Sequence, residues 1–465
     1  MAEWCNWADT VEYENLARLY TPRTVEELRA DVADATKRGW RLRAVGSGHA
    51  WSNLGLPSRR RGAVISLAHL NHAAEVIEPP GSNGEGVVRV DGGVTIEYLC
   101  RWLDSQGLAL FNMGDANPQT IAGAIATETH GSGIHLGSIS EYVEGISIVK
   151  ADASIAELAG DQLRAGRVAL GKLGVVFSVK LKVRKKYFLK HVQVLIPFNE
   201  KSEAANIEQY KTESQPDSAP IGNVGKLRHF EYWYYPYTGN AERILRYEVD
   251  STVVSNPLKI TDEWFIRASS GILETIGKHS PERIPQTVRN AQLNNKGLFE
   301  ATRQGPWHEL LLGKANVWRK RVRTYTMEYQ FSYDNLWRAF NAMEASITLA
   351  ARKGVFVASP IQIRFTKASA RSLMTNLRHE PTVSFSISFF REHEGAHTWL
   401  PELERRLIER PILGRPHWGK MYYVEPQPTT ESALFESIRQ TLDPNGTFAF
   451  RQNLYTPDPE AFQEP

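Results

Sequence analysis

Two glycine-rich stretches constrain this chain more than anything else in it: RAVGSGHAWS at residues 43–52 and THGSG at 129–133. Each crowds glycine and hydroxyl side chains into a short loop, and the first is led in by the strand-like WRLRAV (40–45). Such a loop presents backbone N–H groups with no side chain in the way, which is how a pyrophosphate is held. One loop of this kind is usually a plain turn. Two in the same α/β or α+β region suit a long diphosphate cofactor. The nicotinamide fingerprint is not met, because GSGHAW lacks the third glycine and the following SNLGLPSRRRG cannot be the required helix. No Walker A lysine follows either loop.

Helices and strands interleave around these loops. TVEELRADVADATKR (24–38) reads as a helix with Thr24 at its cap and Glu27 completing a capping box. Val25, Leu28, Val32 and Ala35 fall on one face of it, and Gly39 suits a left-handed exit. Strands are expected at AVISL (63–67), GVVRVDGG (86–93) and ALGKLGVVFSVKLKV (169–183), with a second helix at TIEYLCRWLDSQG (95–107). After residue 186 the texture changes. RHFEYWYYPYTGN (228–240) and TYTMEYQFSY (324–333) are aromatic and β-prone, residues 334–352 look helical, and a mixed sheet with helices is expected there. The aromatic run 228–237 is expected to pack within that sheet. From YYVEPQPTT onward the chain reads as loops, one helix and a PDPEAFQEP tail.

At 465 residues the chain exceeds one ordinary core, so two domains or lobes are expected. A net charge of +3 favours neither nucleic acid nor a membrane surface as partner. The basic runs SRRRG (58–62) and KVRKK (182–186) read as solvated loops. Cys5 and Cys100 are the only cysteines, so neither a disulfide framework nor a cysteine-rich metal site is expected. The first residues lack the basic start and apolar core of a secretory signal, and no apolar run approaches membrane-spanning length. A cytoplasmic protein, monomeric or weakly homo-oligomeric, with no bound metal is the expectation.

Five strings, VGSGHAWS, IAGAIATETHGSG, LGKLGVV, SPIQIRFT and RPHWGK, occur in an order that resembles the aldonolactone and alditol oxidases of the vanillyl-alcohol-oxidase superfamily. The resemblance runs from NWADT near the start to LDPNGTF near the end. It implies an α+β, two-lobed protein: a PCMH-type FAD-binding domain from residues 1–186, an α+β substrate (cap) domain at 187–425, and a segment 426–465 returning to the FAD domain. It further implies that Val45, Gly46, Ser47, Gly48, His49, Ala50 and Ser52 wrap the FAD pyrophosphate. His49 stands where many members bond the flavin 8α methyl covalently; the alternative is a neutral histidine on a phosphate. Thr120, Ile125, Thr127, Thr129, His130, Gly131 and Ser132 should line the ribityl and phosphate side, with His130 otherwise bracing its own loop. Val175 and Val176 should meet the adenine end through their backbone.

The family's Glu-X-Arg strand and His-Trp-X-Lys turn correspond to Gln362, Arg364, His417 and Lys420, with Arg364 and Lys420 expected to stabilise a substrate oxyanion. Two positions depart from the family pattern. Gln362 replaces the carboxylate, which removes an anion from beside Lys420 and leaves Arg364 to push the lysine's pKa down. Glu128 stands where glycine is usual, and either supplies a carboxylate near the cofactor or turns to solvent. These departures move the expected substrate towards a polyol-like or cyclic hydroxylated molecule other than the usual alditol or aldonolactone. Gly114 occupies a position where plant-type relatives carry an oxygen-blocking alanine, so O2 is the expected acceptor and H2O2 the product. A specialised-metabolite or amine oxidase, and a flavin-binding scaffold without activity, are the alternatives. Retention of Arg364, His417 and Lys420 speaks against the scaffold.

Overall fold

The computed structural model describes residues 2–58, 62–71, 74–216, 225–250, 271–294, 299–312, 324–377, 380–390, 396–424, 426 and 429–450. Helix Val25–Lys37 forms where the 3.6-residue spacing predicts it, with the Thr24 side chain accepting the Glu27 N–H at 3.1 Å. The expected capping box is not closed: the Glu27 carboxylate accepts the Arg23 N–H instead, at 2.7 Å. Leu28, Val32 and Ala35 are fully buried, and Gly39 takes the left-handed exit at φ +67°. They pack on Leu42, Ala63 and Ile65 of a three-stranded parallel sheet ordered Arg18–Tyr20, Gly62–Ser66, Arg41–Val45. Burying each leucine or valine here contributes roughly 2 kcal/mol. The first glycine loop starts where strand Arg41–Val45 ends.

Val149 and Val175 carry the same core into an antiparallel sheet. Its order is Ile155–Leu158, Val143–Val149, Val175–Lys185, Glu85–Asp91, Ala74–Glu78, with Leu108–Ala109 on the lower end of Val175–Lys185. The strand expected over 169–183 begins only at Val175, because Leu170 and Gly171 turn the chain at φ 52° and 66°. The run 182–186 is no solvated loop. It ends that strand, and Arg184 is buried against Glu248 at 2.9 Å, tying this sheet to the next. Residues 59–61 of SRRRG and the C-terminal tail lie outside the described residues.

The region after 186 builds one eight-stranded sheet. Its order is Ala301–Pro306, Phe188–Pro197, Asn240–Val249, Leu227–Tyr235, Ile361–Thr366, Thr382–Phe390, Thr324–Ser332, Arg415–Pro416. It is antiparallel at every pairing rather than mixed. Side chains alternate across a strand. Ile361, Ile363 and Phe365 therefore face helices Glu200–Glu213, Leu336–Arg352 and Ala396–Ile408, in a core with Ile207, Met343 and Leu403. Gln362, Arg364 and Thr366 face the other way, and register sets Arg364 beside Glu231 and Gln362 beside Trp233 and Ser386. All nine residues of Leu227–Tyr235 are buried, as expected of the aromatic run. The sheet thus has one apolar face under helices and one polar face towards the glycine loops.

Near its end the chain returns to the first sheet: Leu42 N–H donates to the Thr447 carbonyl at 2.8 Å. The buried Arg43 guanidinium donates to the carbonyls of Leu54, Leu170, Gly171 and Phe448. No helix among the described residues is long and apolar enough to cross a membrane.

Candidate functional site

A cavity lies between the two glycine loops and the polar face of the eight-stranded sheet. Val45, Gly46, Ser47, Gly48, His49, Ala50 and Ser52 all line it, as do Gly114, Thr120, Thr127, Thr129, His130 and Val176. So do Gln362, Arg364, His417 and Lys420 from the far side. The sequence-expected residues from both loops and both later motifs are therefore brought to one space.

Five expected cofactor contacts are not among the lining residues. Ile125 and Val175 are core side chains. Gly131 packs against Asn112 and Met113, where a Cβ would lie 2.1 Å from the Met113 carbonyl oxygen. The Ser132 hydroxyl donates to the Phe230 carbonyl and accepts the Phe365 N–H, pinning its loop to the large sheet. Glu128 neither approaches the cavity nor turns to solvent. It is buried at φ 62°, and its carboxylate accepts from the Thr375 hydroxyl at 2.5 Å and the Asn376 N–H at 2.8 Å.

The glycine loops are shaped by close approach. A Cβ on Gly46 would lie 2.1 Å from Thr120 Oγ1, and Gly48 needs φ +61°. Thr120 caps helix Ile121–Ala126 by accepting the Gly123 N–H. The His49 ring stacks on Trp7 at 4.6 Å with planes 27° apart, and Trp51 closes the cluster. Trp51 N–H donates to the Gly419 carbonyl at 2.8 Å and Ser52 Oγ to the Trp418 carbonyl at 2.7 Å, so the first loop holds the turn that carries Lys420.

Opposite, Glu328 is a fully buried hub. Its carboxylate accepts two bonds of 2.8 Å from Arg364 and one of 2.8 Å from His130, and its carbonyl accepts the His417 N–H. Burial opposes the ionised carboxylate, but Arg364 and His130 outweigh it and hold the group well below the usual carboxylate range. Arg364 also donates to the His130 carbonyl at 3.0 Å. Its guanidinium is thus anchored by protein groups while the side chain still lines the cavity. His130 both braces its loop, through Nδ1 near the Gly131 carbonyl, and lines the cavity.

Lys420 Nζ sits 3.9 Å from the centre of the Trp51 ring. Burial, aided by Arg364 and resisted by Glu328 and Asp115, brings its pKa down to about 8. Burial likewise pushes His417 down to about 3, so its imidazole is neutral and Nδ1 accepts the Gly419 N–H at 3.0 Å. Gln362 Nε2 donates to Asp115 at 2.5 Å and to Glu231 at 3.0 Å. Position 362 carries an amide, yet the site is not short of carboxyl groups. Sequence reasoning missed Asp115, Glu231 and Glu328; the last two were visible as charged residues at alternating positions in EYWYY and TMEYQF, too buried a context for a solvated charge.

The residues fit FAD. The loops approach closely, since a Cβ on Gly46 would strike Thr120 and Gly48 takes φ +61°, and at the cavity wall the buried Gln119 Oε1 has no hydrogen-bond partner among the described residues. Residues 16–159 match the family model of the FAD binding domain, and residues 222–454 match that of D-arabinono-1,4-lactone oxidase. The chain belongs to this lactone oxidase family. It is 28% identical to an L-gulono-1,4-lactone dehydrogenase of Mycobacterium tuberculosis over 96% of both chains. It is 24% identical to the L-gulonolactone oxidase of Mus musculus over 95% of both. Its fold is that of a cholesterol oxidase from B. sterolicum (TM-score 0.76, 17% identity, 96% of this chain and 95% of the other). The protein is an FAD-dependent oxidoreductase acting on CH–OH groups.

Proposed function

We propose that the protein oxidises a hydroxyl-bearing carbon of a sugar lactone or closely related polyol, with O2 as the final acceptor and H2O2 as product. Bound FAD supplies the two-electron acceptor for the hydride leaving that carbon. The arrangement around Lys420 carries the reading. A buried amine with a pKa of about 8 keeps a neutral fraction near neutral pH, so Nζ can take the hydroxyl proton as the C–H bond breaks. Arg364 and Glu328 hold a fixed field beside it, and the neutral His417 sets the turn. Sequence reasoning turned away from an aldonolactone because position 362 lost its carboxylate; Asp115, Glu231 and Glu328 remove that objection.

The names of the relatives support the lactone, while leaving both an oxidase and a dehydrogenase precedent. Gly114 supports O2, since a Cβ there would lie 3.2 Å from Thr129 Cγ2, inside the cavity wall. The stacking of His49 on Trp7 within the cavity supports a covalent flavin link. In this reading residues 1–186 and 426–465 serve the FAD and residues 187–425 the substrate.

Anaerobic bleaching of the bound flavin by L-gulono-1,4-lactone, D-arabinono-1,4-lactone and a series of alditols tests the substrate. The rate should rise with pH through about 8; a rate that falls there would mean that the ammonium form is the active one. Peroxide yield under air tests the acceptor. Yellow colour retained in acid-precipitated protein tests the link, and its complete release refutes it.

A further inference from the structure

Of the carboxylates gathered on the polar face of the large sheet, two are spent on protein partners. Glu328 is taken up by Arg364 and His130. Glu231 holds Arg246 at 2.8 Å through Oε1 and accepts from Gln362 through Oε2. Asp115 differs. Its Oδ2 accepts from Gln362 at 2.5 Å and lies 3.7 Å from Arg364, while Oδ1 takes no hydrogen bond from any described residue. Asp115 lines the cavity together with Gln362, Arg364 and Lys420.

The amide between the two carboxylates has one orientation. Both N–H groups of Gln362 are used on carboxyl oxygens, and turning the amide over would set its carbonyl against the Asp115 carboxylate. A glutamate at 362 would set carboxyl against carboxyl where those bonds of 2.5 and 3.0 Å now run, and only an added proton would relieve it. The amide at 362 and the carboxylate at 115 therefore belong together: the anion beside Gln362 that faces the cavity stands on the loop.

We propose that Asp115 is the specificity-determining residue of this site, its Oδ1 accepting a hydrogen bond from a second hydroxyl of the substrate, one that is not oxidised. This rests on the hydroxyl-oxidation reading above. Gln362, itself fixed by Glu231, is the positioning residue that aims it. A carboxylate at this place welcomes a hydroxyl donor and repels an anion, so the ligand class is a neutral polyhydroxylated molecule. The ring-opened sugar acid of the same lactone is excluded.

The test is a cycle of Asp115→Asn against single-deoxy analogues of L-gulono-1,4-lactone and D-arabinono-1,4-lactone, read as kcat/KM for anaerobic flavin reduction. The introduced amide must turn its carbonyl to Gln362 and so shows an NH2 to the cavity, reversing the polarity of the contact. One deoxy analogue should lose about 10- to 100-fold on the unaltered enzyme. Asp115→Asn should lose as much on the parent lactone and nothing further on that analogue. Multiplying penalties, or an Asp115→Asn enzyme equal to the parent on every substrate, overturns the proposal. Gln362→Glu alone should impair turnover, and Asp115→Asn with Gln362→Glu should recover part of it; a double variant worse than either single one also overturns it. Asp115→Ser repeats the cycle if the asparagine variant folds poorly. Perturbation of the flavin spectrum separates the two readings. An unaltered enzyme whose flavin is neither bleached nor perturbed by any lactone refutes hydroxyl oxidation, and this proposal falls with it. Bleaching that is indifferent to position 115 refutes this proposal alone.

Discussion

Lys420→Met should stabilise the folded protein at neutral pH while stopping catalysis. The lysine is buried, and its pKa stands at about 8 against an ordinary 10.5. At pH 7 it is protonated in both the folded and unfolded chain, so keeping the charge in the folded site costs roughly 3 kcal/mol, the free-energy equivalent of that displacement. Methionine replaces the lysine stem over the Trp51 ring imperfectly, a packing loss of about 1–1.5 kcal/mol that offsets part of this. Methionine fills a similar volume without a charge, so the variant should gain about 1–2 kcal/mol at pH 7. The sign with pH follows from proton counting. Between pH 8 and 10.5 the unfolded chain binds more protons than the folded one, so the unaltered protein gains stability over that window and the variant's advantage shrinks. Denaturant titrations of both proteins at saturating FAD, at pH 7 and pH 10, measure the gap directly, and flavin reduction should slow by at least ~100-fold. A variant less stable at pH 7, with a gap that does not move by pH 10, would refute the idea of a charge held at a cost for its chemistry.

Further expectations follow from the same geometry. Glu328→Gln strips Arg364 and His130 of their shared anion and should cost about 3 kcal/mol in denaturation. It should also shift the pH–rate profile of flavin reduction to lower pH, because Glu328 now raises the Lys420 pKa. Gly114→Ala should leave flavin reduction by substrate unchanged while slowing reoxidation by O2, read by stopped-flow in two separate half-reactions. Arg43→Met removes a buried guanidinium that donates to four separate carbonyls, and should cost about 3 kcal/mol and expose the segment near Phe448 to protease.

Much of the site was legible because its chemistry sits in short, ordered strings. A strand leading into GSGHAW, a capped helix leading into THGSG and an HWGK turn each carry local constraints that a sequence records directly. What stayed hidden was created by pairing across the sheet. Nothing in the spacing of Glu231 and Gln362, or of Glu328 and Arg364, says that they meet; strand register brings them there. Asp115 was overlooked beside Gly114 because an Asp after Gly in an irregular loop reads as turn chemistry. KVRKK was misread for a similar reason: Arg184 finds its counter-ion on a strand whose register with it no local pattern reveals.

Glu128 shows how a tertiary contact can hold a residue where the backbone alone would choose glycine. At φ 62° a glutamate carries about 1 kcal/mol of strain. Its carboxylate is bonded to Thr375 and to the Asn376 N–H, Asn376 bonds the Pro416 carbonyl, and Trp418 Nε1 donates to the Met374 carbonyl at 2.7 Å. The side chain is thus a strut from the loop of Thr127 and Thr129 to the turn of His417 and Lys420. Burial, only partly offset by those bonds, raises its pKa to about 7 from an ordinary 4.5. A raised folded pKa means that the stability this carboxyl contributes is complete below pH 4.5 and drains away as the pH climbs through 7. Relative to Glu128→Gln, the unaltered protein should therefore lose roughly 3 kcal/mol between about pH 4.5 and 8. Flavin reduction by substrate should be equal in the two at any one pH, because the carboxylate acts through the scaffold and does not touch the cofactor. A stability gap that stays flat with pH would remove the strut's buried proton, and a slowed reductive half-reaction in Glu128→Gln would return the residue to the chemistry.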